Sequence, residues 1–315
     1  MKLIDLHCDT ISVLYKLTQA HAGGLKANNL HVDLQKLAKA NSLAQFFAMY
    51  INLEATENPL EDCLGMIDCF YREIEKNQDL IQIATCMQEF ELNQKSNKIT
   101  AFLTIEEGGV IHGKLSNLRM FHRLGVRLMT LTWNYPNEIG YPNCLPECQH
   151  QGLTPFGQEV VAEMNRLNML IDVSHLSDQG FYDVAQYSAK PFVASHSNAR
   201  AITAHPRNLD DAMIKTLAEK GGVMGINFAN SFLGTSPISR VEDIVQHIKH
   251  IRNTGGIDVL ALGSDFDGIE PNLEIANIGE IDKLVQALMQ HSFREEEIEK
   301  IFTKNIMRVM RECLG

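Results

Sequence analysis

The sequence predicts a closed parallel barrel with its helices outside, the (β/α)8 or TIM-barrel fold, on three observations. Eight short apolar runs alternate with amphipathic stretches along the 315 residues. The runs are rich in Val, Ile, Leu, Phe and Met, as strands buried on both faces require. No Gly-rich phosphate loop follows the first run, which argues against an open doubly wound sheet. One such barrel fills a chain of this length, and residues 1–315 are read as a single domain.

The predicted strands are 3–6, 43–51, 99–105, 127–131, 169–173, 191–194, 222–226 and 259–262. The interval 55–98 is expected to hold one long helix with frayed ends. Residues 133–154, rich in Pro, Asn, Gly and Cys, are expected to form a long loop over the top of the barrel. Thr154 reads as an N-cap, with Pro155 opening a helix to residue 168. Ser177 and Asp210 cap the next two helices, the second ending at Gly221-Gly222. A helix over 240–253 stops at Gly255-Gly256, and two more, 280–291 and 295–310, close the chain beneath the barrel.

Composition narrows the function. The formal net charge of -11 argues against nucleic acid and anionic membrane as partners, since both need a basic surface. The seven cysteines are odd in number and irregular in spacing, which favours free thiols in a reducing compartment. No apolar run approaches the roughly 20 residues that span a bilayer, and the chain enters a core strand at Leu3 with no leader before it. These features read as cytoplasmic.

Polar residues recur where the buried runs end. His7 and Asp9 follow the first strand two residues apart, on one side of it, while Cys8 points away. They form either a divalent-metal pincer or a hydrogen-bonded pair. The third strand ends in Glu106-Glu107-Gly108-Gly109. Here Glu107 precedes two glycines where backbone can approach closely, although an acidic surface turn is the plainer alternative. The fifth and sixth strands deliver His175 and His196 at the same height. The eighth ends in Asp265 and Asp267, and closure of the barrel brings Asp265 beside His7 and Asp9; Asp267 fits a loop cap better. His7, Asp9, Glu107, His175, His196 and Asp265 thus gather at the C-terminal ends of the strands, where barrel active sites are built. Mixed imidazole and carboxylate ligands suit Zn²⁺, with Mn²⁺ or Co²⁺ as substitutes. Six ligands suit two metals sharing a carboxylate at about 3.5–4 Å separation.

The remaining polar residues have plainer readings. Cys144, Cys148 and His150 are scattered groups of the lid loop. His21, His31, His112, His122, His247, His250 and His291 lack a strand-end setting and are read as structural or surface residues. Tyr135, Tyr141 and Phe232 are candidates for the pocket wall.

The chain resembles the renal (membrane) dipeptidase family of metallopeptidases, peptidase family M19. The matching pieces, in family order, are His7-Cys8-Asp9, Glu107-Gly108-Gly109, the segment 128–132, Asp172-Val173-Ser174-His175, Ser195-His196-Ser197, His205-Pro206-Arg207-Asn208 and Ser264-Asp265-Phe266-Asp267-Gly268. The resemblance implies hydrolysis of dipeptides by a two-zinc-activated water. His7, Asp9 and Asp265 would hold one zinc, His175 and His196 the other, with Glu107 bridging. Asp265 would shuttle the proton, and Arg207 would bind the dipeptide carboxylate. It is also compatible with a homodimer, for which the sequence marks no interface. The departure is Trp133, where animal members carry a histidine that reaches the substrate. An indole offers a single N–H donor and an apolar wall, which suggests a microbial branch of the family and an altered substrate preference.

Two other readings compete. A lactone- or amide-cleaving barrel enzyme would ordinarily use His-x-His on strand one and a lysine on strand four; neither is present here. A metal-binding homologue without catalysis would not need all six ligands.

Overall fold

A computed structural model describes residues 1–17 and 23–315. His21 lies outside the described residues. Eight parallel strands close into the barrel: β1 (Leu3–Cys8), β2 (Ser42–Tyr50), β3 (Ile99–Glu106), β4 (Val126–Thr130), β5 (Leu170–Asp172), β6 (Val193–Ala194), β7 (Val223–Ile226) and β8 (Leu260–Leu262). Neighbours in the ring follow chain order, and β8 closes on β1 through the pair Leu262 and Asp5. The longest register runs between β2 and β3, from Ala44 opposite Thr100 to Tyr50 opposite Glu106.

Strand alternation divides the barrel into two cores. Ala44, Phe46, Phe102, Leu128, Leu170, Val193, Val223 and Ala261 pack in one apolar cluster with Ile306, Val309, Met310 and Leu314 of the last helix, Asn305–Leu314. Met87 and Phe90 of the helix Met87–Lys95 join them. These strand residues sit near the strand starts, so the two helices plug the N-terminal mouth of the barrel. Phe46 and Phe102 stack at its centre, ring centroids 4.6 Å apart. The alternate residues, among them Phe47, Met49, Leu103, Ile105, Met129, Ile171, Ile226 and Leu262, pack outward under the helical layer. The barrel is therefore largely apolar below, and its inward positions become mostly polar at the C-terminal strand ends.

The predicted strands and caps match these elements to within a residue or two. Thr154, Ser177 and Asp210 each accept a backbone N–H three residues on, as N-caps do. Two expectations are corrected. The interval 55–98 does not hold one helix: Pro59–Lys76 ends at Asn77, and a short strand, Ile81–Ile83, pairs with the start of β3 before Met87–Lys95 begins. Asn77 caps that break, its side chain donating to the carbonyl of Glu73 and its own carbonyl accepting from Ile81. The helix predicted over 295–310 is interrupted by a π-helical turn, Lys300–Lys304. There Asn305 donates its amide to the carbonyls of Ile257 and Leu260, locking the turn to the base of β8. A helix missed by the sequence reading, Thr10–Lys16, follows β1 at once. Asp9 occupies its N-cap position but makes no side-chain cap bond, which leaves the carboxylate to face the barrel mouth.

Among the described residues, no helix is long and apolar enough to cross a membrane.

The apolar lower core makes a stability prediction. Phe102 is fully buried and stacked, so Phe102→Ala should cost about 3–5 kcal/mol of unfolding free energy in a urea titration. Leu92→Ala, at a residue 59% exposed, should stay within about 0.5 kcal/mol.

Candidate active site

Five of the six predicted ligands meet above the apolar plug. His7 is the penultimate residue of β1 with Asp9 two residues on, His175 and His196 follow β5 and β6, and Asp265 follows β8. The backbone is bent to aim them. His175 and Asp265 adopt positive φ of 71° and 62°, in the left-handed region that L-residues visit at a cost. Gly268 passes so close that a Cβ there would strike the carboxylates of Asp9 and Asp265.

The sixth member is Glu106. Its Oε1 lies 3.0 Å from His175 Nε2 and 3.4 Å from His196 Nε2, and its Oε2 lies 3.3 Å from His7 Nε2. His7 Nε2 is also 3.4 Å from Asp9 Oδ2 and 3.8 Å from Asp265 Oδ1. All these side chains are nearly fully buried. Two overlapping ligand groups result: His7, Glu106 and His196, and His7, Asp9 and Asp265.

Glu107 does not join them, which corrects the reading of the sequence. Its carboxylate turns away, accepting the backbone N–H of Gly109 and of Trp133 and the side-chain amide of Asn137. The physical reason is alternation. In β3, Ala101, Leu103 and Ile105 face outward, so Phe102, Thr104 and Glu106 face inward, and Glu107 leaves the strand with φ 124°. Glu107 instead ties the end of β3 to the start of the 133–154 loop.

Electrostatics single out the same cluster. Burial alone would raise the Glu106 carboxyl, but the positive charge on His7, with His175 and His196 alongside, holds it well below the usual range. Burial, reinforced by Glu106, pushes Asp9 up to about 6. Burial, with Asp9 and Glu106 nearby, pushes Asp265 up to about 7. His175 falls to about 4 through burial and the nearby Arg207. Asp9, Asp265, His175 and His196 are thus pushed towards neutrality, while His7 beside Glu106 and Asp9 is raised and keeps its charge.

The donor atoms fit divalent cations. His7 Nε2 and Asp9 Oδ1 are buried and make no hydrogen bond. His175 Nε2 and His196 Nε2 are 3.0 Å apart, with Glu106 Oε1 beside both. Acceptor atoms converge in this way when a cation lies among them. Nitrogen and oxygen donors without cysteine suit Zn²⁺, Mn²⁺ or Co²⁺.

Arg207 is 3% exposed and donates from Nη2 to the carbonyl of His196 at 3.2 Å; its Nε and Nη1 have no partner. Its guanidinium lies over the ring of Phe232, 5.5 Å from the centroid. A cavity of about 650 Å³ opens above the cluster, walled by Asp9, Tyr50, Glu106, Trp133, His175, Phe232 and Asp265 among others. Trp133 stands edge-on to Tyr50 at 4.9 Å and 6.2 Å from His175. Tyr135 packs on Trp133, while Tyr141 does not line this cavity.

The other residues take quieter places. Asp267 accepts from Thr10 and the backbone of His31, holding the loop after β8 as expected of a cap. His247 is buried between the backbones of Ala199 and Leu233. Cys144 donates to the carbonyl of Asn134, and no metal group among the described residues includes it, Cys148 or His150.

Besides Glu106, the sequence reading missed Asn227, which donates its amide to Asp265 Oδ2 at 2.8 Å. The signal was there: Asn227 follows the buried run of β7, as His175, His196 and Asp265 follow theirs.

The model of the membrane dipeptidase family, peptidase family M19, matches residues 1–314. A dipeptidase of Claviceps purpurea, tcpJ, is 32% identical over 294 residues, which are 90% of this chain and 69% of that protein. A metallo peptidase from Rhodobacter sphaeroides, solved with a phosphinate mimic of the dipeptide L-Ala-D-Ala, superposes with a TM-score of 0.92 at 26% identity, covering 99% of both chains. A second solved metallo peptidase of family M19, dipeptidase AC, gives a TM-score of 0.91 at 27% identity over 100% of this chain and 99% of its own. With the barrel, the buried ligand cluster and a family match along nearly its whole length, the chain belongs to the membrane dipeptidase family of metallopeptidases.

Proposed function

We propose that this protein hydrolyses the peptide bond of dipeptides, using two divalent cations that share the carboxylate of Glu106. The observation that carries this reading is one buried carboxylate whose two oxygens face separate imidazole groups, His175 and His196 on one side and His7 on the other. His7, Asp9 and Asp265 would hold one cation, and His175 and His196 the other. Zn²⁺ fits these donors best, with Mn²⁺ or Co²⁺ as substitutes. When bound, such a pair supplies a water acidified towards neutral pH and polarises the scissile carbonyl.

The chain's own residues do the rest. Asp265, with one oxygen fixed by Asn227, carries the proton to the leaving amine. Arg207 receives the substrate carboxylate through its two unpaired nitrogens, Nε and Nη1, a fork that matches two oxygens. Trp133 and Tyr50 wall the cavity beside His175 and face the substrate side chain. The cavity volume suits a dipeptide. The ligand of the Rhodobacter sphaeroides relative supports acceptance of a D-residue in the second position. Seven unpaired cysteines support a reducing, cytoplasmic setting.

A panel of L-Xaa-L-Xaa and L-Xaa-D-Xaa dipeptides tests the reading. Chelated protein should be inactive and regain cleavage with added Zn²⁺, leaving tripeptides intact. Protein holding two cations yet cleaving no dipeptide would overturn it. Arg207→Ala should lower kcat/KM for dipeptides about 10- to 100-fold, mainly through KM, as loss of charge-assisted hydrogen bonds of about 1.5–3 kcal/mol implies. An unchanged KM would remove Arg207 from the carboxylate site.

A further inference from the structure

Resting on the two-cation reading above, we infer that Asn134 and the Asp172–Ser195 pair are positioning residues that fix the tautomers of His175 and His196. Each imidazole has a second nitrogen pointing away from Glu106, and each meets a different partner. His175 Nδ1 lies 2.9 Å from Asn134 Oδ1, an oxygen that only accepts. The proton therefore sits on Nδ1, and Nε2 is left as a lone pair facing Glu106 and His196.

On the other imidazole the same outcome follows from a longer chain. Asp172 is fully buried and accepts four hydrogen bonds: from the N–H of Ser174 at 3.0 Å and of Ser195 at 2.8 Å on Oδ1, and from the hydroxyls of Thr130 and Ser195, both at 2.6 Å, on Oδ2. The Ser195 proton is thus committed to Asp172. Its oxygen, 2.7 Å from His196 Nδ1, is left to accept, so His196 also carries its proton on Nδ1. The hydroxyl of Ser174 lies 3.3 Å away from that of Ser195 and accepts the backbone N–H of His196 at 3.1 Å, which fixes the ring's backbone as well. His7 differs: its Nδ1 is buried with no partner. The two cation positions are therefore unequally prepared, with outer contacts setting the tautomer only at His175 and His196. Outer contacts of this kind typically tune metal affinity by about 10–100-fold.

Asp172 supports too much backbone to be a clean probe, so the test uses Ser195→Ala, Asn134→Leu and Asn134→Asp in the full chain. Ring-¹⁵N-histidine spectra of chelated protein read the tautomers directly, without any metal. The wild type should show Nδ1–H at His175 and His196. Asn134→Leu should lose it at His175, Ser195→Ala should lose it at His196, and Asn134→Asp, which keeps an acceptor, should retain it. In calorimetric titration with Zn²⁺, Asn134→Leu and Ser195→Ala should hold one equivalent at wild-type affinity and the second about 10–100-fold more weakly. Unchanged tautomers in those two variants, or two equivalents at wild-type affinity, would overturn the inference. A wild type that binds only one cation would overturn the two-cation reading instead, while the tautomer spectra still decide this one.

Discussion

Glu106 is a buried carboxylate at the mouth of a barrel, on the floor of the cavity. Burying an ionised carboxylate is expensive unless partners surround it. Here the imidazole nitrogens of His7, His175 and His196 face it, each brought by a different strand end, the donor set that would hold the cations proposed above. The rest of the structure serves that gathering. Eight strands have to close in register, so that residues from β1, β3, β5, β6 and β8 arrive at one height. The closure depends in turn on a lower core of Phe46, Phe102 and aliphatic side chains, sealed by the last helix. Apolar packing below and polar convergence above are two consequences of the same inward-facing positions.

The convergence is accommodated locally. His175 and Asp265 accept left-handed backbone, and Gly268 gives up a side chain so that two carboxylates can approach. Outside the ligand shell, Asn227 holds Asp265, Asn134 holds His175, and Asp172 reaches His196 through Ser195. Glu107, one residue beyond Glu106, anchors Trp133 and Asn137 of the loop that walls the cavity. The site is thus tied into both the strand ends and the loop above them, and Trp133 walls the cavity.

Much of this was legible in the residues. Eight buried runs announced the barrel, and polar residues after five of them announced the site, because a buried strand has little other reason to end in His or Asp. Helix caps such as Thr154 and Asp210 were readable because their hydrogen bonds are local. The failures have equally physical causes. Glu107 was chosen over Glu106 because it abuts two glycines, whereas the pleat of Ile99–Glu106, followed outward from Leu103 and Ile105, selects Glu106. The break at Asn77 and the π-turn at Lys300–Lys304 depend on contacts with distant backbone, at Ile81 and at Ile257 and Leu260, which no local pattern carries. Asp172 and Ser195 were visible as motif members, but their path to His196 exists only once β5 and β6 lie side by side.

Anomalous X-ray diffraction at the zinc edge, from crystals of chelated protein reconstituted with Zn²⁺, tests the sharing of Glu106 most directly. The account predicts two peaks, one beside His175 and His196 and one beside His7, Asp9 and Asp265, with Glu106 contributing one oxygen to each. A single peak, or two peaks bridged by Glu107, would contradict it.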